Sequence, residues 1–177
     1  MLARFSKHAA SRHRQPGFTL VETLIVVMIM GILAAVVLPQ FGRANQDAQE
    51  SALIQELQTL RSQIKAYQFD HGGSFPGQSA ATSTAFRNAL LLSSDAAGNT
   101  GPAGTLPFGP YLLNQIPPNP VNGAAGVMIV ANIDTATPNP GATDGTAAVG
   151  WIYSPTQGRI KANSAGAAGD GTPLQNL

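Results

Sequence analysis

The chain contains no cysteine and few charged residues. Charged residues make up 11% of its 177 residues, about half the usual share for a soluble domain. Without cysteine the chain cannot form a disulfide framework, a thiolate zinc site or a cysteine nucleophile. Its formal net charge of +1 argues against a general nucleic-acid-binding domain, which would carry a basic patch. Histidine chemistry would depend on only three residues, His8, His13 and His71.

The positive charges are concentrated at the N-terminus. Four of the ten basic residues lie in the first 16 residues, which contain no acid, namely Arg4, Lys7, Arg12 and Arg14. Without these four, six basic residues would remain against nine acidic ones, a net charge of −3. This composition is typical of a targeting sequence rather than of a folded segment.

A long apolar run follows the basic segment. Every residue from Leu24 to Leu38 is apolar or glycine, and the run extends back to Phe18 with only Thr19, Glu22 and Thr23 interrupting it. A helix over residues 18–38 would be about 30 Å long, which matches the hydrocarbon thickness of a bilayer. Because the basic flank precedes the run, the positive-inside rule places the N-terminus in the cytoplasm.

Three interpretations of the run remain open from the residues alone: a cleaved secretory signal, an ordinary membrane anchor, and a segment in which Glu22 has a specific partner. A lone carboxylate in the bilayer costs about 2.5–3.5 kcal/mol on insertion scales, so acids within membranes usually have partners. The simplest alternative is that Glu22 lies at the membrane interface and reaches water.

The sequence Gln15-Pro16-Gly17-Phe18-Thr19-Leu20-Val21-Glu22 resembles the processing site of type IV pilins and type II secretion pseudopilins. The resemblance implies cleavage after Gly17 by a prepilin peptidase and N-methylation of Phe18. It also implies that Glu22 of one subunit pairs with the new amino terminus of a neighbour during assembly. Pro39 matches a position where these proteins often carry a helix-kinking proline, which removes a backbone hydrogen-bond donor.

The expected fold class is α+β and pilin-like, with one long N-terminal helix packed on a small antiparallel β-sheet head. Residues 1–17 would be the cleaved leader, 18–39 the transmembrane and assembly segment, 40–73 an amphipathic helix, and 74–177 a loop-rich head. The amphipathic half has apolar residues at 4-3-4-3 spacing, which predicts one buried helix face: Leu53, Leu57, Leu60, Ile64 and Tyr67.

The head is expected to contain a short helix and three or four short antiparallel strands. The helix is predicted over residues 85–92 and a strand over 127–131. Residues 149–153 and 159–162 would form a hairpin around a glycine-containing turn. The segment from Gly150 to Gly158 resembles the C-terminal hairpin of many pseudopilin-like proteins. Its aromatic residues, Trp151 and Tyr153, are expected to pack in the core.

Neither metal binding nor catalysis is predicted for the head. Major pseudopilins often bind calcium in a late acidic loop, but Asp134, Asp144 and Asp170 are each isolated and are interpreted as turn residues. His71 falls at the predicted helix end, where it can bond the last carbonyls. The sequence shows no set of catalytic residues and no cofactor motif, so no enzyme activity is expected.

These features predict a structural subunit of a periplasmic pseudopilus of the type II secretion system. Its partners would be further copies in a helical filament, other pilin-like subunits, the prepilin peptidase and an inner-membrane platform, with no nucleic acid. It would cross the bacterial inner membrane once, with the N-terminus cytoplasmic and the head periplasmic. One alternative is a type IV pilus subunit for adhesion, motility or DNA uptake. An alternative of another class is a membrane-anchored binding domain or enzyme.

Overall fold

The computed structural model describes residues 17–177, except for the side chains of residues 39–43. The chain divides into two compact units, residues 1–42 and residues 43–177. The expected leader, apart from Gly17, lies outside the described residues. The predicted kink at Pro39 also concerns a side chain outside them, so it stays a prediction.

The longest element is helix α1, Leu20–Asp70, which has 51 residues and agrees with the single long helix that the sequence predicts. It is followed by one shorter helix, five strands and a final 3-10 helix: α2 Ser83–Leu91, β1 Ser93–Ser94, β2 Thr100–Gly101, β3 Gly126–Ile129, β4 Val149–Ser154, β5 Arg159–Ala162 and the 3-10 helix Leu174–Asn176.

In the first unit, none of the described side chains of α1, from Leu20 to Leu38, is buried. The segment Leu20–Leu38 has a mean hydropathy of 2.7 and none of its residues is buried, so its length and composition suit a membrane span. The helix begins at a threonine cap, because Thr19 Oγ1 accepts a hydrogen bond from the backbone N–H of Glu22 at 3.2 Å.

In the second unit, one face of α1 contributes to a hydrophobic core. The five apolar residues predicted from the 4-3-4-3 spacing are all buried, with exposures between 0 and 4%: Leu53, Leu57, Leu60, Ile64 and Tyr67. They join Phe86 and Leu90 from α2 and the two aromatic residues of β4, Trp151 and Tyr153, in one cluster. The prediction that the aromatic pair packs in the core is therefore confirmed.

The main sheet has three strands in the order β3-β4-β5. β4 and β5 form the predicted antiparallel hairpin, with Tyr153 opposite Ile160. β3 pairs with β4 in parallel, however, with Val127 opposite Trp151, so the expectation of purely antiparallel strands was wrong for this pair. The physical reason is the long connection over residues 130–148, which is ample for the crossover that a parallel pair requires. β1 and β2 form a separate antiparallel pair.

The short helix predicted over residues 85–92 is present as α2, beginning two residues earlier. Thr82 is its N-cap, and its side chain accepts a hydrogen bond from the backbone N–H of Ala85 at 3.1 Å. Phe86 and Leu90 lie on its buried face. Strand β4 is buried at all six positions, as expected for the central strand of a sheet covered on both faces.

Candidate assembly site

The expected cleavage point lies in an accessible, non-helical stretch. Gly17, Phe18 and Thr19 precede the first helical residue and have no regular secondary structure. Phe18 is 79% exposed, and a Cβ atom added to Gly17 would meet no other atom within 4 Å. A peptidase would therefore reach the Gly17–Phe18 bond without unwinding α1.

Glu22 is the acid of the first turn of α1. Together with the Thr19 cap it forms half of a capping box, because the threonine oxygen is bonded to the Glu22 N–H. An acid in this position also interacts favourably with the positive end of the helix dipole. Within residues 17–177, no hydrogen bond to the Glu22 carboxylate is present, so the carboxylate can accept an external partner. The structure places Phe18 and Glu22 at the same end of one exposed apolar helix.

The late aspartate Asp144 is a buried structural anchor. Its side chain is completely buried, and its Oδ2 forms a 2.6 Å salt bridge with Arg87. Backbone N–H groups of Thr146, Ala147 and Val127 also donate to the carboxylate, at 2.9, 2.8 and 3.2 Å. Burial by itself raises the pKa of the Asp144 carboxyl. The Thr146 hydroxyl, which donates to Oδ1 at 2.8 Å, and the backbone N–H groups outweigh burial and lower the pKa well below its usual range.

The other two late aspartates are exposed, and each lies in a turn. Asp134 pairs with Arg159 at 2.7 Å, and the Arg159 hydrogen bond is the main cause that lowers the pKa of that carboxyl. Asp170 accepts a hydrogen bond from the backbone N–H of Thr172 at 2.8 Å. The three aspartates do not converge, and the described part of the chain includes no group of three or more His, Asp or Glu residues positioned to hold a metal ion.

His71 is buried directly after α1. Its Nδ1 lies 2.8 Å from the Tyr67 carbonyl oxygen, and its Nε2 lies 3.0 Å from Ser94 Oγ. The ring also stacks on Tyr67 with centroids 3.7 Å apart. Since the carbonyl can only accept, Nδ1 donates to it, and Nε2 forms its hydrogen bond with the serine hydroxyl. Both ring nitrogens thus hold the end of the helix against β1.

Two buried asparagines, Asn119 and Asn163, hold the loops of the head and were missed from the sequence. Asn119 donates to the Gly150 carbonyl at 2.8 Å and to Ser164 Oγ at 2.9 Å. Asn163 donates to the Val149 carbonyl at 2.8 Å. The Pro-Asn-Pro setting of residues 118–120 signals a turn, but it does not indicate that the asparagine side chain is buried.

The family described as the prokaryotic N-terminal methylation motif matches residues 12–38 of this chain. This region contains each of the residues Gly17, Phe18 and Glu22. No solved structure matches the chain.

Curated relatives include proteins of three kinds, each matched over 33 to 40% of this chain. A "Competence protein ComGC" of Halalkalibacterium halodurans is 42% identical over 59 residues, which cover 33% of this chain and 58% of that protein. A "Type II secretion system core protein G" of Dickeya chrysanthemi is 34% identical over 58 residues, which cover 33% and 38%. A "Fimbrial protein" of Neisseria meningitidis is 39% identical over 71 residues, which cover 40% and 41%. The chain thus spans less than two thirds of the length of these relatives.

Proposed function

From the premise that this chain carries the N-terminal segment shared by type IV pilins and type II secretion pseudopilins, we propose that it is a structural subunit of a periplasmic pseudopilus of the type II secretion system. In this proposal a prepilin peptidase cleaves after Gly17 and methylates the amine of Phe18. The mature chain of 160 residues then polymerises through its N-terminal helix, and the growing fibre drives protein export.

One observation carries the proposal. An exposed apolar helix, with no buried residue from Leu20 to Leu38, begins directly after an accessible glycine–phenylalanine bond. The N-terminal side of this helix carries a lone acid, Glu22, whose charge in a low-dielectric medium requires a partner. A neighbouring subunit's Phe18 amine supplies a cation of the right sign. Both charges would be neutralised only when the two subunits are displaced along the fibre by the distance that brings Glu22 next to this amine. The pairing would thus set the register of assembly.

The proposed topology follows from the same segment. The basic residues 1–16 would remain cytoplasmic, residues 18–39 would cross the inner membrane once, and the head would lie in the periplasm. A structural rather than an enzymatic role is supported by His71 and Asp144, which already have their hydrogen-bonding partners within the chain. The proposed partners are further copies, other pilin-like subunits, the peptidase and an inner-membrane platform.

Processing is tested by the intact mass and N-terminal peptide map of the protein from its native membrane. A mature chain that begins at methylated Phe18 supports the proposal. Gly17→Val should block cleavage, and because a Cβ there contacts nothing, the substitution should leave the fold unchanged. Gly31→Val is the matched control, since Gly31 also has nothing within 4 Å of an added Cβ. An uncut leader in the unsubstituted protein, or a cut after the apolar run, would refute the proposal.

A type IV pilus subunit is the second candidate. The fimbrial protein of Neisseria meningitidis matches over 71 residues, a longer stretch than the 58 residues matched by the secretion protein of Dickeya chrysanthemi. The absence of cysteine favours secretion, because many type IV pilins carry a cysteine pair. Deletion of the gene separates the two: loss of a secreted protein from the medium supports the pseudopilus, whereas loss of surface fibres, motility or DNA uptake supports the pilus.

A further inference from the structure

Two pockets of the second unit lie beside helix α1 and have opposite charges. The first, called here the basic pocket, has a volume of about 350 Å³ and includes Arg61 and Lys65 of α1 together with Arg159 and Lys161 of β5. The second, the acidic pocket, has a volume of about 260 Å³ and includes Asp47 and Glu50 of α1 and the loop of residues 165–169. Leu174 borders the acidic pocket and Gln175 the basic one, so the two are adjacent along the final 3-10 helix.

The basic pocket has a net positive charge. One of its four cations, Arg159, forms a salt bridge with Asp134, which is the one acid that borders the pocket. Arg61 and Lys161 donate instead to main-chain oxygens, at 2.8 and 2.6 Å. Lys65 and Lys161 form no salt bridge among the side chains that the structure describes. The pocket therefore keeps a net positive charge and can accept carboxylates.

The acidic pocket has the complementary charge. Asp47 is exposed, and Glu50 is half-buried with its Oε2 accepting the Gly169 N–H at 2.9 Å. Neither carboxylate forms a salt bridge, and no base lines this pocket, within the side chains that the structure describes. Arg43 precedes Asp47 by one turn, and its side chain lies outside the described ones. Spacing of three residues places the two carboxylates on one helix face.

Helical geometry places the two charged groups on the same side of α1. Asp47 and Lys65 are 18 residues apart, which is five turns, and Glu50 and Arg61 are 11 residues apart, which is about three turns. Each acid therefore points in about the same direction as its basic counterpart. The axial separations are about 27 and 17 Å. One side of the helix is thus negative at residues 47–50 and positive about 20 Å further on.

We propose that the acidic pocket of one copy docks against the basic pocket of the next copy, so that this contact joins the heads along the filament. This inference rests on the proposed function, in which every copy crosses the membrane with the same orientation, so that the helices of neighbouring copies run parallel. The contact forms when two copies face each other through these sides of α1. One copy is then displaced by about 17–27 Å along the helix axis relative to the other. Such a contact is heterologous and includes a translation, so it cannot close into a dimer and propagates along an axis.

A second copy fits the charges better than a nucleic acid does. The chain that follows the leader has a net charge of −3, which opposes the approach of a long polyanion. A helix with two neighbouring carboxylates, by contrast, places a small negative charge at the basic pocket alone. Every copy of this chain also carries both the acidic and the basic half of the contact. The same complementarity also disfavours wrong registers, because a displacement that places like charges together is repulsive.

Cysteine cross-linking of the full chain in its native membrane tests this contact directly. The chain has no cysteine of its own, so only introduced residues can form disulfides. In the variant Asp47→Cys/Lys65→Cys the two positions are about 27 Å apart within one copy, far beyond the roughly 4.4–6.8 Å between Cα atoms in a disulfide. Any disulfide therefore joins two copies, and oxidation should give a ladder of covalent multimers.

The matched control is Glu56→Cys/Lys65→Cys. Glu56 is nine residues after Asp47, two and a half turns, so it points to the opposite side of α1. This control should give monomer alone. Fibres that contain correctly processed Phe18 but give no ladder with Asp47→Cys/Lys65→Cys would overturn the docking inference and leave the filament proposal intact. An unprocessed chain would overturn the filament proposal itself.

Charge reversal gives a second readout that does not depend on cysteine. Asp47→Lys and Lys65→Glu both change exposed side chains, so the head should remain folded. Each should lower fibre yield by about tenfold or more, while the combined Asp47→Lys/Lys65→Glu variant should restore most of it. Glu56→Lys, on the opposite side, should leave the yield within about twofold. Failure of the combined variant to recover, with processing and head folding intact, would contradict the inference.

Discussion

Helix α1 has two different surroundings. From Leu20 to Leu38 apolar residues cover all sides of the helix and none is buried. In the second unit, by contrast, the main apolar stripe of α1 is fully covered, and Phe69, off that stripe, stays exposed. A helix that is apolar all round requires an apolar medium or neighbouring chains, while a single stripe requires only a packed layer of the same molecule. The first segment thus depends on partners, and the second is satisfied within the chain.

The acids of the two units differ in the same way. The carboxylate of Glu22 has no hydrogen bond within the described part of the chain, and Asp144 has a cation and several N–H donors around it. The first acid can therefore report on assembly and the second on the stability of the head. Substitutions at these two positions separate assembly from folding.

The largest expected effect is loss of assembly in Glu22→Ala. The substitution removes the charge that we propose pairs with the Phe18 amine of a neighbour, so that amine would be left unpaired in low dielectric. We expect normal membrane insertion and almost no fibres, measured by membrane fractionation and by electron microscopy of sheared fibres.

The head should be unaffected by that change. Trp151 is the one tryptophan of the chain and is fully buried, so its fluorescence reports unfolding of the second unit in detergent-solubilised full chain. Glu56→Ala removes an acid from the second unit and is the control for a general charge effect. Wild-type fibre yield from Glu22→Ala would contradict the proposed pairing.

The next largest effect is expected for Asp144→Asn. The substitution removes the partner of Arg87 and brings an amide donor to a place where several backbone N–H groups already donate. We expect a loss of about 3 kcal/mol in the free energy of unfolding, since breaking a buried pair costs about 3–5 kcal/mol and Arg87 is partly exposed. Trp151 fluorescence in urea measures it. Asp134→Asn is the matched control, because its salt bridge is exposed, and it should have a much smaller effect.

The same residue predicts an acid dependence. The pKa of Asp144 is lowered in the folded head, so the folded state favours the ionised carboxylate more than the unfolded chain does. Its contribution is fully present above the unfolded pKa of about 4 and is lost as the pH falls toward the folded value. The wild type should therefore lose more stability than Asp144→Asn when the pH is lowered from about 5 to 2. Parallel losses in the two proteins would contradict this assignment.

The sequence predicted contacts between residues that are close in the chain better than contacts between residues that are far apart in it. The buried face of α1 and the hairpin of β4 and β5 were predicted because helical spacing and turn chemistry act between near neighbours in the chain. The parallel pairing of β3 with β4 was not, because the connection of residues 130–148 has no pattern that states its direction. The roles of Asn119 and Asn163 were also missed, since their partners are up to 45 residues away.

Gly150 combines a local sequence signal with a contact to a residue far away in the chain. The sequence placed it in a family-like hairpin, but its physical role comes from a distant contact: a Cβ there would overlap the Ala124 carbonyl oxygen. Gly150→Ala should therefore cost about 2 kcal/mol through backbone displacement, measured by Trp151 fluorescence. Gly141→Ala is the control, because an added Cβ at Gly141 would make only an ordinary contact at 3.8 Å. Equal stability of the two variants would refute the close-approach argument.

The smallest expected effect separates packing from hydrogen bonding in the aromatic core. Burial raises the pKa of the Tyr153 hydroxyl, and that hydroxyl donates to the Pro76 carbonyl at 3.1 Å. Tyr153→Phe keeps the ring but leaves a carbonyl without its donor, so we expect a loss of about 1 kcal/mol. Tyr67→Phe is the control, since its hydroxyl forms no hydrogen bond with another described residue. If Tyr153→Phe were as stable as Tyr67→Phe, the segment at Pro76 would be held to the head by apolar packing rather than by this bond.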